Sequence, residues 1–83
     1  MTRDEIRAAV IHSLADIAPE TDASALDPHA NLREALDLDS MDFLNFVVGV
    51  HEVLHVDVPE SDYAKMSTLD ACTSYLASRL GIP

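Results

Sequence analysis

Eighty-three residues, 48% of them hydrophobic and 24% charged, hold enough apolar material for one small core and too little length for two, so a single domain spanning 1–83 is expected and disorder is excluded. Fifteen acids against five bases give a formal net charge of −10, which opposes nucleic acid and anionic membranes, because both recruit cations, and favours a partner with a basic surface. Cys72 stands alone, so no internal disulfide forms; its place in a helical apolar pattern marks a buried small hydrophobe rather than a nucleophile.

The opening MTRDEIRAAV has no signal-peptide apolar core, and no apolar run approaches the ~18 residues that span a bilayer, so a cytoplasmic, monomeric protein is expected. A first helix is predicted from about Asp4 to Ala18. Thr2 and Glu5 have capping-box spacing, Ile6, Val10, Leu14 and Ile17 form one apolar stripe, and Pro19 closes the helix. A connection of about 20 residues follows to Asp39, a length that usually signals function, with Leu26, Leu32, Ala35 and Leu36 expected to pin it to the core. The second helix starts at Asp39 or Ser40, with Asp39 as N-cap and Asp42 in the first turn, and ends near Leu54.

His55 to Pro59 reads as a loop, Ser61 to Lys65 as a short third helix, and Ser67 as the cap of a last helix with the stripe Leu69, Cys72, Leu76 and Leu80, stopped by Gly81 and Pro83. No segment has strand alternation, although Val56 to Val58 is ambiguous. The predicted fold is all-α: a bundle of three main helices plus a short one, with a long loop between the first two.

On a wheel of about 100° per residue the second helix has two apolar faces. Phe43, Phe46, Val47, Val50, Val53 and Leu54 share the arc expected to face the core. Met41, Leu44 and Val48 lie roughly opposite, flanked by Asn45, His51, Glu52 and His55. So small a domain buries one face fully, which makes the other a candidate docking ridge with a polar rim. The competing reading is that the other helices cover both.

Ser40 sits at the head of that ridge, among Asp37, Asp39 and Asp42. Asp39 already serves as N-cap. No G-x-S-x-G elbow is present, and His51 and His55 lie about three and four turns along the helix, so a nucleophile lacks its base. Asp37 and Asp39 match the first positions of an EF-hand loop, but Met41, Asp42 and Val48 occupy its next ligand, its glycine and its glutamate. A fourth reading is a modified serine, an attachment point that another enzyme reads from its acidic neighbours. The three aspartates also form a possible weak divalent-cation site, with no firm metal site elsewhere.

Asp39-Ser40-Met41-Asp42, at a helix start after a long loop, resembles the D-S-L-D motif of acyl carrier proteins. The resemblance spans nearly the whole chain: the first helix, the loop, Val58-Pro59, the Ala64 to Thr68 turn and a last helix with Tyr75 fall in family order. It implies a four-helix bundle without catalytic activity. Ser40 would carry 4′-phosphopantetheine, added from coenzyme A with magnesium by a phosphopantetheinyl transferase, with Asp39 helping to position the metal. Acyl groups would ride as thioesters on the arm.

Partners would be that transferase, an acyl-loading ligase or synthase, and acyltransferases with basic docking surfaces that meet Asp39, Met41, Asp42, Leu44, Val48 and Glu52. Phe43, Phe46, Val47, Val50 and Leu54 would line an acyl pocket, with Phe43 plugging its entrance or lining it.

The helix dipole offers a phosphate on Ser40 about 0.3–1 kcal/mol. One aspartate ~7 Å away in water costs on the order of 0.6 kcal/mol. Three of them match or exceed the dipole, so the arm is expected to be tethered and not gripped. Asn45 and His51 stand where carriers of fatty acid synthesis tend to have glutamates, Asp37 where glycine is common, and Phe43 where a smaller residue is usual. These departures imply a specialised carrier. An aminoacyl or D-alanyl carrier of the same fold, and an unmodified acidic interaction domain, stay open.

Overall fold

The computed structural model describes residues 1–82. The chain forms α1 (Arg3–Ile17), a 3-10 turn (Ala23–Ala25), α2 (Leu32–Ala35), α3 (Ser40–Leu54), a 3-10 segment (Glu60–Met66) and α4 (Leu69–Arg79), with no strand among the described residues. The predicted all-α bundle is observed, and α1 packs against both α3 and α4. The ends of α1 and α3 fall within a residue of expectation.

Short polar side chains set the helix starts. The predicted capping box of α1 is present: the Glu5 N–H donates to Thr2 Oγ1 at 3.2 Å and the Thr2 N–H to Glu5 Oε1 at 3.0 Å. Ser67 does not cap α4. Its carbonyl accepts the Leu32 N–H at 2.8 Å, and its backbone is helical rather than extended. Thr68, which is extended, takes the role, and Thr68 Oγ1 accepts the Ala71 N–H at 3.0 Å. At the far end Gly81 (φ +71°) makes a left-handed turn, and the Gly81 and Ile82 N–H groups close onto Ser78 and Ala77. Pro83, the second predicted stop, lies outside the described residues.

The core joins Ile6, Val10 and Leu14 of α1 to Phe43, Phe46, Val47, Val50 and Leu54 of α3 and to Leu69, Cys72 and Leu76 of α4. Fully burying one such aliphatic or aromatic side chain stabilises by about 1.5–3 kcal/mol. Three packing expectations change. Ile17 is only half-buried, and Ser13 is buried in its stead, facing Gly49, where a Cβ would meet Ser13 Cβ at 3.5 Å. Val53 is 46% exposed. It lies at the margin of its arc, about 20° beyond Phe46 at 100° per residue. Ala35 is exposed, at the end of α2.

The long connection is not structureless. Besides Leu32 and Leu36, Ala23 and Leu38 enter the core, while Leu26 is half-buried. The predicted third helix is a 3-10 segment one residue longer at each end than Ser61 to Lys65. The ambiguous Val56 to Val58 stretch is extended but unpaired, with Val56 buried. Cys72 is buried as expected. Its thiol donates to the Met66 carbonyl at 3.3 Å, and burial pushes its pKa up to about 12, which leaves it inert as a nucleophile.

Candidate functional site

The route into Ser40 is built by α2. Asn31 caps it, Asn31 Oδ1 accepting the Glu34 N–H at 3.0 Å. Six residues later the chain reverses: Asp37 adopts φ +53°, and the Leu38 N–H donates back to the Arg33 carbonyl at 2.9 Å. This is the left-handed helix stop that glycine usually provides, and aspartate tolerates it better than most side chains. The reversal buries Leu38 and delivers Asp39 in extended conformation to the head of α3.

There the Asp42 N–H donates to Asp39 Oδ1 at 2.8 Å, and the Asp39 N–H donates to Asp42 Oδ2 at 3.4 Å. Asp39 is the N-cap, as expected, and Asp42 adds the reciprocal half of a box. With both carboxylates turned onto the backbone, Ser40 is released from capping and stays exposed on the first residue of the helix. The aspartates do not assemble a cation site: among the described residues, no group of three or more His, Cys, Asp or Glu side chains is placed to hold a metal ion. The possible divalent site at Asp37, Asp39 and Asp42 is therefore withdrawn.

Ser40 Oγ accepts a hydrogen bond at 3.3 Å from Arg33 Nη2. The Arg33 guanidinium lies over the Phe43 ring, 5.8 Å from its centroid. Phe43 in turn meets Phe46 and Tyr63 edge to face, with centroids 5.8 and 5.6 Å apart. A groove of about 410 Å³ runs beside Ser40 between Met41, Phe43 and Leu44 on α3 and Glu60 and Tyr63 on the 3-10 segment. A second, of about 400 Å³, lies across the Arg33–Phe43–Tyr63 wall, toward Asn31, Ala64 and Ser67.

Of the five residues assigned to an acyl pocket, Phe43 alone lines these grooves; Phe46, Val47, Val50 and Leu54 are buried in the core. Met41, Leu44 and Val48 are 64%, 40% and 45% exposed, so the bundle leaves the second face of α3 uncovered. Asp39 and Glu52 are exposed beside it and Asp42 is half-buried.

Arg33 and Tyr63 escaped the sequence reading. Nothing in the spacing joins Arg33 to a serine seven residues on. The one available signal is that a glycine-type stop at Asp37 would fold the two together.

The 3-10 segment bearing Tyr63 is clipped to α4. The Tyr75 hydroxyl donates to Asp62 Oδ2 at 2.6 Å, Arg79 Nη1 donates to the Tyr75 hydroxyl at 2.8 Å, and Lys65 Nζ pairs with Asp62 at 3.3 Å. The Tyr75 hydrogen bond is the main cause holding the Asp62 carboxyl below its usual range, with Lys65 adding to it.

A phosphorylated, amide-bearing arm suits this site. The serine oxygen is exposed and free of backbone duty, a cation stands beside it, and an apolar-walled groove opens next to it.

Comparisons with known proteins agree. Residues 8–76 match the family described as the phosphopantetheine attachment site. An acyl carrier protein of Rubrobacter xylanophilus is 28% identical over 76 residues, covering 92% of this chain and 93% of the relative. One of Lactobacillus acidophilus is 26% identical and covers 98% of this chain and all of the relative. The solved structure of acyl carrier protein from Enterococcus faecalis superposes with a TM-score of 0.73 at 23% identity, over 95% of this chain and 99% of that one, and so shares the fold. The chain belongs to the phosphopantetheine attachment-site family, a family of non-catalytic carrier proteins of acyl-carrier type.

Proposed function

We propose that the protein carries acyl groups as thioesters on 4′-phosphopantetheine attached to Ser40 Oγ. The observation that carries this reading is the Asp39–Asp42 capping box, which leaves the Ser40 hydroxyl exposed and unneeded by the helix beside an apolar groove. In the attachment, the Ser40 Oγ–P bond would form as the pyrophosphate P–O bond of coenzyme A breaks, adenosine 3′,5′-bisphosphate would leave, and the hydroxyl proton would pass to a base of the transferase. The arm supplies the thiol on which the acyl group is held. This chain's residues position and present it. Asp39 fixes the helix start and stands where it can help the transferase place magnesium. The uncovered ridge of Met41, Leu44 and Val48, rimmed by Asp39, Asp42 and Glu52, is the surface for the transferase, the loading ligase or synthase, and the acyltransferases.

Asn45 and His51 reduce the acidity of that rim, and Phe43 narrows the way to the core. Both favour a specialised carrier over one serving general fatty acid synthesis. The reading is tested with octanoyl-coenzyme A and a promiscuous transferase. Intact mass is expected to rise by one octanoyl arm, neutral hydroxylamine to release the octanoyl group and leave the arm, and Ser40→Ala to accept neither. Hydroxylamine-stable acylation, or acylation of the alanine variant, would overturn it.

A further inference from the structure

We infer that Arg33 is a built-in clamp for the phosphodiester on Ser40, holding the first part of the arm in the adjoining groove. The inference rests on the reading of Ser40 as the attachment site and adds a residue to it. The phosphorus would join the very oxygen that now accepts the Arg33 N–H at 3.3 Å. A guanidinium presents its donors as a planar fork, and bonds from it to phosphate oxygens are shorter and stronger than the bond it makes to a neutral hydroxyl.

Arg33 is held ready for this. Its carbonyl takes the Leu38 N–H, which ties the α2 backbone to the α3 head, and its guanidinium rests over the Phe43 ring. Among the described residues the carboxylate pairs are made by His12, His29, His51 and Lys65, so Arg33 is uncommitted to an acid. Of the other four bases, Lys65 and Arg79 belong to the Asp62–Tyr75 clip, Arg3 bonds Ser74, and Arg7 lies on α1. Arg33 is thus the cation that lines the Ser40 groove, opposed by Glu60 on the far wall.

The balance of dipole against aspartates, taken without Arg33, left the phosphate ungripped. Adding a guanidinium at contact distance, with one oxygen each of Asp39 and Asp42 bonded to a backbone N–H, offsets that repulsion. The phosphate end of the arm is then directed along Met41, Phe43 and Tyr63, and its motion is concentrated at the thiol end.

The test compares holo protein with its Arg33→Gln and Arg33→Lys variants, after intact mass confirms one arm in each. The readouts are side-chain 15N resonances of Arg33 and 31P relaxation of the phosphodiester. Conversion from apo to holo is expected to shift the Arg33 side-chain signals and slow their solvent exchange. Arg33→Gln is expected to lower the ratio of clamped to free phosphate about two- to fivefold, the range of an exposed ion pair. Arg33→Lys should fall between, because it keeps the charge and loses the fork. High salt should erase the differences. Unchanged Arg33 signals on loading, or identical 31P relaxation in parent and Arg33→Gln, would overturn the clamp. So would an equal response of the apo protein to inorganic phosphate, which would make Arg33 a general anion seat. No mass gain in the parent would overturn the attachment reading itself, and that failure is seen before any resonance is measured.

Discussion

At the scale of single residues, the Asp62–Tyr75 pair contributes to the acid limit of the fold. Folding holds the Asp62 carboxyl below its ordinary value of 3.8, chiefly through the Tyr75 hydroxyl. A carboxyl depressed in the folded state contributes stability above its unfolded pKa and loses it as pH falls through the folded one. Stability at pH 7 therefore includes the whole of this contribution, and it fades below about pH 4. Tyr75 acts at the other limit: burial, and then Asp62, raise its pKa above 10.0, so its contribution is lost as the solution becomes strongly alkaline. Asp62→Asn should flatten the acid limb of a urea-denaturation midpoint plotted against pH and leave the plateau shape near neutrality. An unchanged acid limb would show that other carboxylates carry it.

The sequence could not announce this pair, because Asp62 and Tyr75 lie on different elements. It also pointed to Ser67 as the cap of α4, and backbone conformation gives that role to Thr68.

At the scale of elements, α1, α3 and α4 were legible because each couples a capping side chain to a 3.6-residue apolar period. Ile17 and Val53, the misjudged positions of α1 and α3, sit at the margins of those stripes. The connection was harder to read. Its 3-10 turn and α2 are too short to show a period, and they are held by Asn31, Asp37 and the Ser67 carbonyl rather than by a pattern.

Phe43 shows what this means for function. Its ring, fixed between Phe46, Tyr63 and Arg33, closes α3 against the 3-10 segment. An acyl chain gains about 0.8 kcal/mol per buried methylene, so exclusion requires a barrier of packing rather than a lack of drive. An octanoyl arm should leave the amide shifts of Val47, Val50 and Leu76 little changed from those of the unacylated holo protein. Phe43→Leu, costing about 1–2 kcal/mol of stability, should admit the chain and move those signals. Large core shifts in the parent would mean that the ring swings aside.

At the scale of the whole molecule, charge and shape act together. On the proposed reading, a net charge of −10 on 83 residues draws basic partners from a distance, and the uncovered face of α3 supplies the contact. The composition made the charge evident, and the two-faced wheel of α3 made the ridge evident. Leu44→Ala should weaken turnover by a loading enzyme about fivefold or more, the effect of losing one good interface side chain, with helicity unchanged. The same turnover should fall as salt rises. Loss of helicity on that substitution would place Leu44 in the core instead.

Everything in this account depends on one oxygen atom. The most direct measurement is intact mass followed by fragmentation, after incubation of the purified protein with coenzyme A, magnesium and a promiscuous transferase. The account predicts a gain of one phosphopantetheine, with the fragment series placing it on Ser40 and no gain in Ser40→Ala. With Cys72 buried and its thiol pKa near 12, the new thiol should then be the one that reacts with a maleimide at neutral pH. No mass gain, or an arm on any other residue, would contradict it.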